Sequence, residues 1–289
     1  MSSTLRRLLS DCSCGVIRAV GASGRGLRIL MYHRVTDAHP RQRLCVSPQA
    51  FAEQMQWLSD AGYRTITFDQ AVRWVTGQGA RPDRSCVITF DDGFEDNFRH
   101  AAPALVRHQF TGCFFIPTLF AQSDPKRHAP EDRPMSWHQL NELLAQGHEI
   151  GAHSVTHRKL ARLPLDAVRH EVEESKAVLD HELRRPVEFF CYPAGSYTAH
   201  VRAAVQAAGY RGACTVEPGA NHPGADPFTL KRTEVSRFDS LWDFEKKMTG
   251  AYDWLHAAVQ TVHRFTQHDR ECANALEVPA TADQLQDGK

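Results

Sequence analysis

The sequence predicts an α/β fold in which about seven parallel strands form one barrel-like (β/α) domain. Short apolar runs alternate with helical patterns along most of the chain, and several helical patterns end at glycine, a common residue at helix carboxyl ends. Alternation of this kind is typical of parallel strands joined by right-handed crossovers. One barrel accounts for this number of strands in a chain of 289 residues better than two domains do.

The predicted elements follow one another in regular order. Strands are predicted at residues 27–33, 63–68, 86–90, 111–117, 147–153, 187–193 and 210–216. Helices are predicted at residues 48–62, 94–109, 136–147, 164–185 and 199–209. A last helix, at 240–259, is expected to pack on the domain because its apolar residues recur at helical spacing: Leu241, Phe244, Met248, Tyr252, Leu255 and Val259. Segment 121–134, rich in proline and charge, is predicted to be a loop over the carboxyl ends of the strands.

Composition excludes several classes of protein. Lysine plus arginine and aspartate plus glutamate both total 34, so the formal net charge is zero and no nucleic-acid partner is expected. None of the eight cysteines forms a CxxC pair, and Cys86, Cys113 and Cys191 lie in apolar runs, which predicts buried free thiols. Nothing in the sequence indicates an oligomeric state.

We divide the chain into an amino-terminal segment (1–26), a barrel domain (27–265) and a polar tail (266–289) that is expected to be disordered. No stretch approaches the roughly 20 apolar residues of a membrane span, and residues 1–21 lack the apolar core of a secretion signal. The predicted location is therefore cytoplasmic. Three interpretations of the amino-terminal segment stay open: a basic amphipathic helix in peripheral contact with a membrane, a helix packed on the domain, and a frayed terminus.

Two adjacent aspartates end a strand in the stretch VITFDDGFEDN. Because Asp91 and Asp92 follow an apolar run, they are predicted to lie at the carboxyl end of a buried strand, where neighbouring carboxylates repel each other unless a cation compensates or one is protonated. This pattern favours a metal site with acid–base chemistry. The alternative is an ordinary turn at Gly93 into a helix, with Asp92 or a neighbour as the N-cap.

Two histidines four residues apart end another apolar run, in GAHSVTH. On a helical turn, His153 and His157 share a face, so both imidazoles converge on one ion, and Asp92 completes a three-ligand site with a position left for water. An HxxxH pair taken alone is more often an ordinary pair of histidines. Its combination with the strand-end aspartates favours metal, most simply zinc, with Asp91 accepting the proton of a water molecule.

TFDDG, HSVTH and a YPAG turn together resemble the polysaccharide deacetylase family, also called the NodB-homology or carbohydrate esterase 4 family. The resemblance covers roughly residues 28 to 255. It implies a distorted (β/α) barrel and a metal-dependent hydrolase that removes acetyl groups from N-acetylated sugars. Residue by residue it implies Asp91 as general base, Asp92, His153 and His157 as metal ligands, and the backbone N–H of Ala194 as an oxyanion donor.

The sequence departs from the family pattern at two places. Cys191 stands where the family has an arginine that orients the base, and the later leucine–histidine motif is absent from TLKRTEV. A subset with a YHRV-type segment near the amino terminus resembles this chain in LMYHRV, which implies His33 as general acid. A buried histidine bonded to a backbone carbonyl is the alternative for His33. We assign Arg232 to charge compensation near the aspartates and to the substrate site.

The expected substrate is an N-acetylated oligosaccharide or polysaccharide, used in surface-polysaccharide synthesis. The residues proposed to contact the sugar are Tyr192, Pro193, Tyr197, Trp137 and Arg232. Each of the three aromatic residues has a core position as its alternative. Two other functions stay open: hydrolysis of another non-peptide C–N bond on the same fold, and sugar binding by a chain that has lost catalysis.

Overall fold

The computed structural model describes residues 26–81 and 83–252. The chain divides into two compact units, Met1–Ala251 and Tyr252–Lys289, and every contact given below belongs to the first. Residues 1–25 of the amino-terminal segment and the tail at 266–289 lie outside the described residues, so the predicted domain boundaries and the three interpretations of that segment stay predictions. None of the helices in the described ranges is both long and apolar enough to cross a membrane.

Eight parallel strands form one curled sheet. They are β1 (Arg28–Tyr32), β4 (Arg64–Thr65), β5 (Ser85–Phe90), β6 (Cys113–Ile116), β7 (Glu149–Ala152), β8 (Phe189–Cys191), β9 (Gly212–Cys214) and β10 (Thr233–Glu234), and a separate parallel pair joins β2 (Arg34–Val35) to β3 (Cys45–Val46). The order is β10-β1-β5-β6-β7-β8-β9, with β4 also paired to β5. The predicted α/β fold with a barrel-like sheet of about seven parallel strands is confirmed, and the strands that the sequence did not predict are β10 and the pair β2 and β3.

One short segment links the two edges of the sheet. Leu230 bridges Cys214 of β9, and three residues later Thr233 pairs with Leu30 of β1. Arg232 therefore lies between two strands that are far apart along the sheet. Its side chain is fully buried, which places a guanidinium inside the barrel close to the ends of the strands.

Eight α-helices pack around the sheet within the described residues. They are α1 (Pro48–Asp60), α2 (Phe68–Val75), α3 (Ala102–Arg107), α4 (Thr118–Ala121), α5 (Trp137–Ala145), α6 (Leu165–Leu183), α7 (Ala199–Ala207) and α8 (Leu241–Thr249). A π-helix, Asn97–Ala101, precedes α3. The five helices predicted between strands are present, whereas α4 and α2 were not predicted. The helix α2 starts with a capping box of Thr67 and Gln70.

The helix predicted at 240–259 is present as α8 and ends at Thr249, and the predicted part beyond residue 252 lies outside the described residues. Gly250 adopts a left-handed conformation, with φ at 79°, and ends α8 there. Phe244 and Met248 are buried as predicted, but Leu241 is exposed. Leu255 and Val259 lie outside the described residues.

The core contains aromatic rings stacked across neighbouring strands. Phe90 of β5 stacks on Phe114 of β6, with ring centroids 4.7 Å apart, and Tyr32 of β1 packs on the Phe90 ring at 5.6 Å. Cys86, Cys113 and Cys191 are buried free thiols, as predicted. Because rings and strands pack tightly here, the strand ends that carry the aspartates are held rigidly.

His148, just before β7, gives the fold a dependence on pH. Its Nδ1 accepts a hydrogen bond from Gly112 N–H at 3.2 Å, and burial lowers its pKa to about 4. A histidine in the unfolded chain takes up a proton near pH 6.5. The stability that the folded protein gains from keeping His148 neutral is therefore fully present above pH 6.5 and is lost as the pH falls towards 4. We expect the free energy of unfolding to drop by about 2 kcal/mol between pH 7.5 and 5 from this residue.

The test is chemical denaturation of wild type and His148→Asn at both pH values. Asparagine retains an acceptor for Gly112 N–H and does not titrate. The variant should lose less stability on acidification than wild type does. Equal losses in the two proteins would show that His148 does not carry this pH dependence.

Candidate active site

The carboxyl ends of β5, β7 and β8 lie at the same edge of the sheet, with β6 between β5 and β7. Asp91 and Asp92 follow β5 directly, His153 follows β7, and the Tyr192–Gly195 turn follows β8. Parallel strands present all these ends on the same side, so the predicted site residues converge although they are far apart in sequence.

Asp92, His153 and His157 lie close enough to bind one ion. The Asp92 Oδ1 atom is 3.1 Å from His157 Nε2 and 3.6 Å from His153 Nε2. His153 Nδ1 is 2.7 Å from the carbonyl oxygen of Cys191 and must donate to it, which leaves the Nε2 lone pair directed at the site. The three side chains predicted as metal ligands are therefore brought together.

The HSVTH segment reaches this geometry without a helix, so the predicted helical turn is wrong. His157 lies in a loop, and both Ser154 and His157 have positive φ, at 64° and 58°. The Ser154 hydroxyl accepts the His157 N–H at 3.0 Å, and Glu171 of α6 accepts the N–H groups of Val155 and Thr156 at 2.9 and 2.8 Å. The hydrogen bonds to Glu171 thus stabilise a loop conformation that the positive φ angles of Ser154 and His157 make unfavourable.

The donors fit a zinc ion. Asp92 Oδ1 is buried beside the two imidazole nitrogens but accepts no hydrogen bond of normal geometry among the described residues, an arrangement that is unfavourable for a carboxylate oxygen unless a cation binds it. Two imidazole nitrogens and one carboxylate oxygen are the ligand set of a catalytic zinc site with an open position. Burial would raise the pKa of Asp92, but His157 and His153 hold it below its ordinary value.

A second group of possible donors does not fit a metal. Ligand atoms of Asp91, His153 and Cys191 also lie within 4.8 Å of one another. Burial raises the pKa of the Cys191 thiol, which keeps it protonated, and Asp91 is already bound by Arg232. A protonated thiol is a poor ligand, so the chemistry favours the Asp92 group.

Asp91 is buried and paired with Arg232. The guanidinium donates from Nη1 to Oδ1 and from Nη2 to Oδ2, each at 2.7 Å, and Nη2 also lies 3.1 Å from the Cys191 sulfur. Burial alone would raise the pKa of Asp91, but the Arg232 charge holds it well below its usual range. The predicted charge compensation by Arg232 is present. The assignment of Arg232 to substrate contact is wrong, because its side chain is fully buried.

His33 lies beside the same carboxylate. Its Nε2 is 3.8 Å from Asp91 Oδ2, and its side chain is 15% exposed towards a cavity. His33 Nδ1 has no hydrogen-bond partner among the described residues, so the alternative of a structural histidine bonded to a carbonyl is not observed. Burial lowers the pKa of His33, and the charges of Asp91 and Asp92 oppose that shift.

A cavity of about 760 Å³ opens at the candidate metal site, with His33, Asp92 and His157 among its lining residues. Segment 121–134 borders the cavity through Ser123, His128 and Asp132, as predicted for that loop. Its aromatic lining consists of Phe94 and Phe120, neither of which the sequence analysis identified. The sequence did place Phe94 directly after the DDG turn, and this position next to the aspartates could have identified it as a residue of the site.

The residues predicted to contact sugar do not line this cavity. Tyr192 is fully buried and stacks on Tyr197 at 5.0 Å, and Trp137 packs against the core at the start of α5. Pro193 is also buried. The assignments of Tyr192 and Pro193 to sugar contact are corrected, because both are buried. Tyr197 and Trp137 are half-buried, and their contact with sugar stays a prediction. Ala194 is exposed in the turn after β8, with φ at 52°.

Comparison with known proteins identifies the family. The family model described as Polysaccharide deacetylase matches residues 78–213. The Bacillus subtilis (strain 168) protein named "Putative polysaccharide deacetylase YxkH" is 31% identical over 211 residues, which cover 73% of this chain and 71% of that protein. The chain belongs to the polysaccharide deacetylase family. The predicted family and the predicted enzyme class, a hydrolase that deacetylates carbohydrates, are confirmed.

Solved structures of polysaccharide deacetylases share the fold. IcaB from Ammonifex degensii is 26% identical, with a TM-score of 0.69, over 78% of this chain and 98% of that one. The Streptococcus pyogenes deacetylase PplD has a TM-score of 0.70 at 22% identity, over 77% and 98% of the two chains, and shows the fold alone. The Escherichia coli (strain K12) poly-beta-1,6-N-acetyl-D-glucosamine N-deacetylase is 30% identical over 86 residues, 29% of this chain and 13% of that protein.

Proposed function

We propose that this polysaccharide deacetylase uses a zinc ion, held by Asp92, His153 and His157, to remove acetyl groups from N-acetylated oligosaccharides or polysaccharides. The observation that carries the proposal is the juxtaposition of this three-ligand group, which borders the cavity through Asp92 and His157, with the buried, ionised Asp91 next to Asp92. A zinc ion bound there supplies Lewis-acid polarisation of the acetyl oxygen and lowers the pKa of water.

Asp91 is the general base of the proposed reaction. It accepts a proton from the attacking water as the water oxygen bonds to the acetyl carbon. Arg232 keeps the carboxylate ionised and fixes both of its oxygens, so the base is oriented before substrate binds. Arg232, from the segment just before β10, thus takes the place of the family arginine that is missing at Cys191, which accounts for one of the two departures from the family pattern.

His33 is the proposed general acid. As the carbon–nitrogen bond breaks, the amine nitrogen takes a proton, and His33 is an imidazole on the cavity side of Asp91. Because burial lowers its pKa, protonated His33 is a strong proton donor. We assign the N–H of Ala194 to the oxyanion on the family resemblance.

The proposed substrate class follows from the relatives. A poly-beta-1,6-N-acetyl-D-glucosamine N-deacetylase is among them, which supports N-acetylglucosamine polymers or their precursors in surface-polysaccharide synthesis. The cytoplasmic location and peripheral membrane contact stay predictions. The direct test is acetate release from β-1,4- and β-1,6-linked N-acetylglucosamine oligomers, with simple acyl amides alongside. Release from the oligomers supports the proposal, and release from the amides alone would favour another C–N hydrolase.

Loss of a ligand should weaken zinc binding at least about 100-fold, because two donors do not complete the site. We expect this for His157→Ala, measured by calorimetric titration of metal-free protein with zinc. The matched control is His170→Ala, an exposed histidine on α6. Unchanged affinity in the His157 variant would contradict the assigned ligand set.

A further inference from the structure

Two phenylalanines form an aromatic wall of the cavity. Phe94 and Phe120 meet edge to face, with ring centroids 5.3 Å apart, and line the cavity together with Asp92 and His157. We propose that this pair is the sugar-binding platform of the enzyme and that Arg34 is the positioning residue that holds it. This inference rests on the proposed deacetylase function and specifies how that site recognises its substrate.

Arg34 joins the platform to the loop above the strand ends. Its guanidinium carbon lies 4.1 Å from the centre of the Phe94 ring, a cation–π contact. The same side chain donates from Nε to Asp96 at 2.8 Å and from Nη1 to Asp132 at 2.5 Å, and it also bonds the Glu131 carbonyl. One buried arginine therefore fixes both an aromatic ring and the turn at 130–132.

Phe120, on α4 just before the loop at 121–134, forms the other side of the wall. Phe120 packs against the His128 ring at 5.2 Å, and His128 bonds Ser123 Oγ at 2.8 Å. The loop is tied back to the chain after β5, where Met135 N–H donates to the Gly93 carbonyl at 2.9 Å. Both rings are thus set by contacts that exist before any substrate binds, which favours recognition by a preformed surface.

The wall suits an uncharged sugar chain. The charged residues Arg34 and Asp132 in the lining are paired with each other, and Asp132 is also 2.8 Å from His39 Nε2. Leu44, Leu119 and Val155 add apolar surface. The C–H face of a pyranose ring packs on such a surface, whereas a uronic acid or phosphate would bury its charge without a partner. The cavity volume falls in the range of about 300–1,000 Å³ typical of ligand sites, which favours linked sugars over a small acyl amide.

The test measures binding separately from turnover. Trimers of N-acetylglucosamine, β-1,4- and β-1,6-linked, are titrated by calorimetry into zinc-loaded Asp91→Asn protein. The same titrations are made with three double variants, which carry Phe120→Ala, Phe120→Leu or Val106→Ala as the second substitution. We expect Phe120→Ala to weaken binding roughly five- to tenfold and Phe120→Leu to weaken it by a smaller factor, because leucine keeps apolar area but has no aromatic face. Val106, exposed on α3 away from the cavity, should have no effect.

Steady-state kinetics then separate the positioning role of Arg34 from general damage to the fold. In the protein with Asp91 intact, Arg34→Lys should raise KM several-fold with kcat within twofold, since lysine retains a charge but not the three-way hydrogen bonding. The platform proposal would be overturned if Phe120→Ala left the affinity for the trimers unchanged, or if the Asp91→Asn protein bound neither trimer. Acetate release that persists in those cases would leave the deacetylase function standing, so the two failures are distinguishable.

Discussion

Asp91→Asn should lower kcat for acetate release by roughly 10²–10⁴-fold, the usual contribution of a general base. The amide has no acceptor basic enough for the proton of water, although it fills the same space. Zinc affinity should stay close to that of wild type, because the metal ligands are Asp92 and the two histidines. Kinetics on N-acetylglucosamine oligomers and zinc titration measure the two quantities.

The matched control is Asp166→Asn, a carboxylate at the start of α6 whose side chain is 98% exposed. Its activity should equal that of wild type. Thermal unfolding of Asp91→Asn is measured in parallel, because Arg232 loses its charged partner in that variant. Turnover within about threefold of wild type, with zinc bound and the protein folded, would contradict the assignment of Asp91 as base.

Arg232→Met should destabilise the protein by about 3–5 kcal/mol, because removal of one member of a buried ion pair leaves the other buried and uncompensated. The same change should raise the pKa of Asp91, which Arg232 now holds well below its usual range. The base would then be protonated at higher pH, so the acid limb of the kcat/KM profile should move to higher pH.

Chemical denaturation and pH–rate profiles check both effects. Arg232→Lys retains the charge and should recover part of the stability, without the paired hydrogen bonds to both Asp91 oxygens. Arg169→Met, on exposed α6 surface, is the matched control and should change neither quantity. Equal stability of Arg232→Met and wild type would show that the pair is not needed to bury Asp91.

The fold was predictable because its strands are apolar runs separated by helical patterns. β10 escaped prediction because it has two residues and forms only by pairing with β1. The end of α8 depends on one glycine, Gly250, within a pattern that otherwise continues. Short elements and helix ends depend on tertiary contacts that periodicity does not record.

The convergence of Asp92, His153 and His157 was predictable because each follows an apolar run and parallel strand ends share one edge. The aromatic residues that line the cavity were not predictable, since exposure of an aromatic side chain depends on packing: Tyr192 is buried beneath Tyr197, whereas Phe94 and Phe120 line the cavity. The role of Arg232 was accessible only as a hypothesis. Its segment reaches Asp91 because it links the two edges of the sheet.

The most direct measurement of the central claim is acetate release by one preparation before metal removal, after treatment with a chelator, and after addition of one equivalent of zinc. Asp92→Ala is carried through the same three steps. We predict release from N-acetylglucosamine oligomers that stops on chelation and returns with zinc in wild type, and no recovery in the variant. Full activity in the chelated protein, verified to be free of metal, would contradict a metal-dependent site at Asp92, His153 and His157.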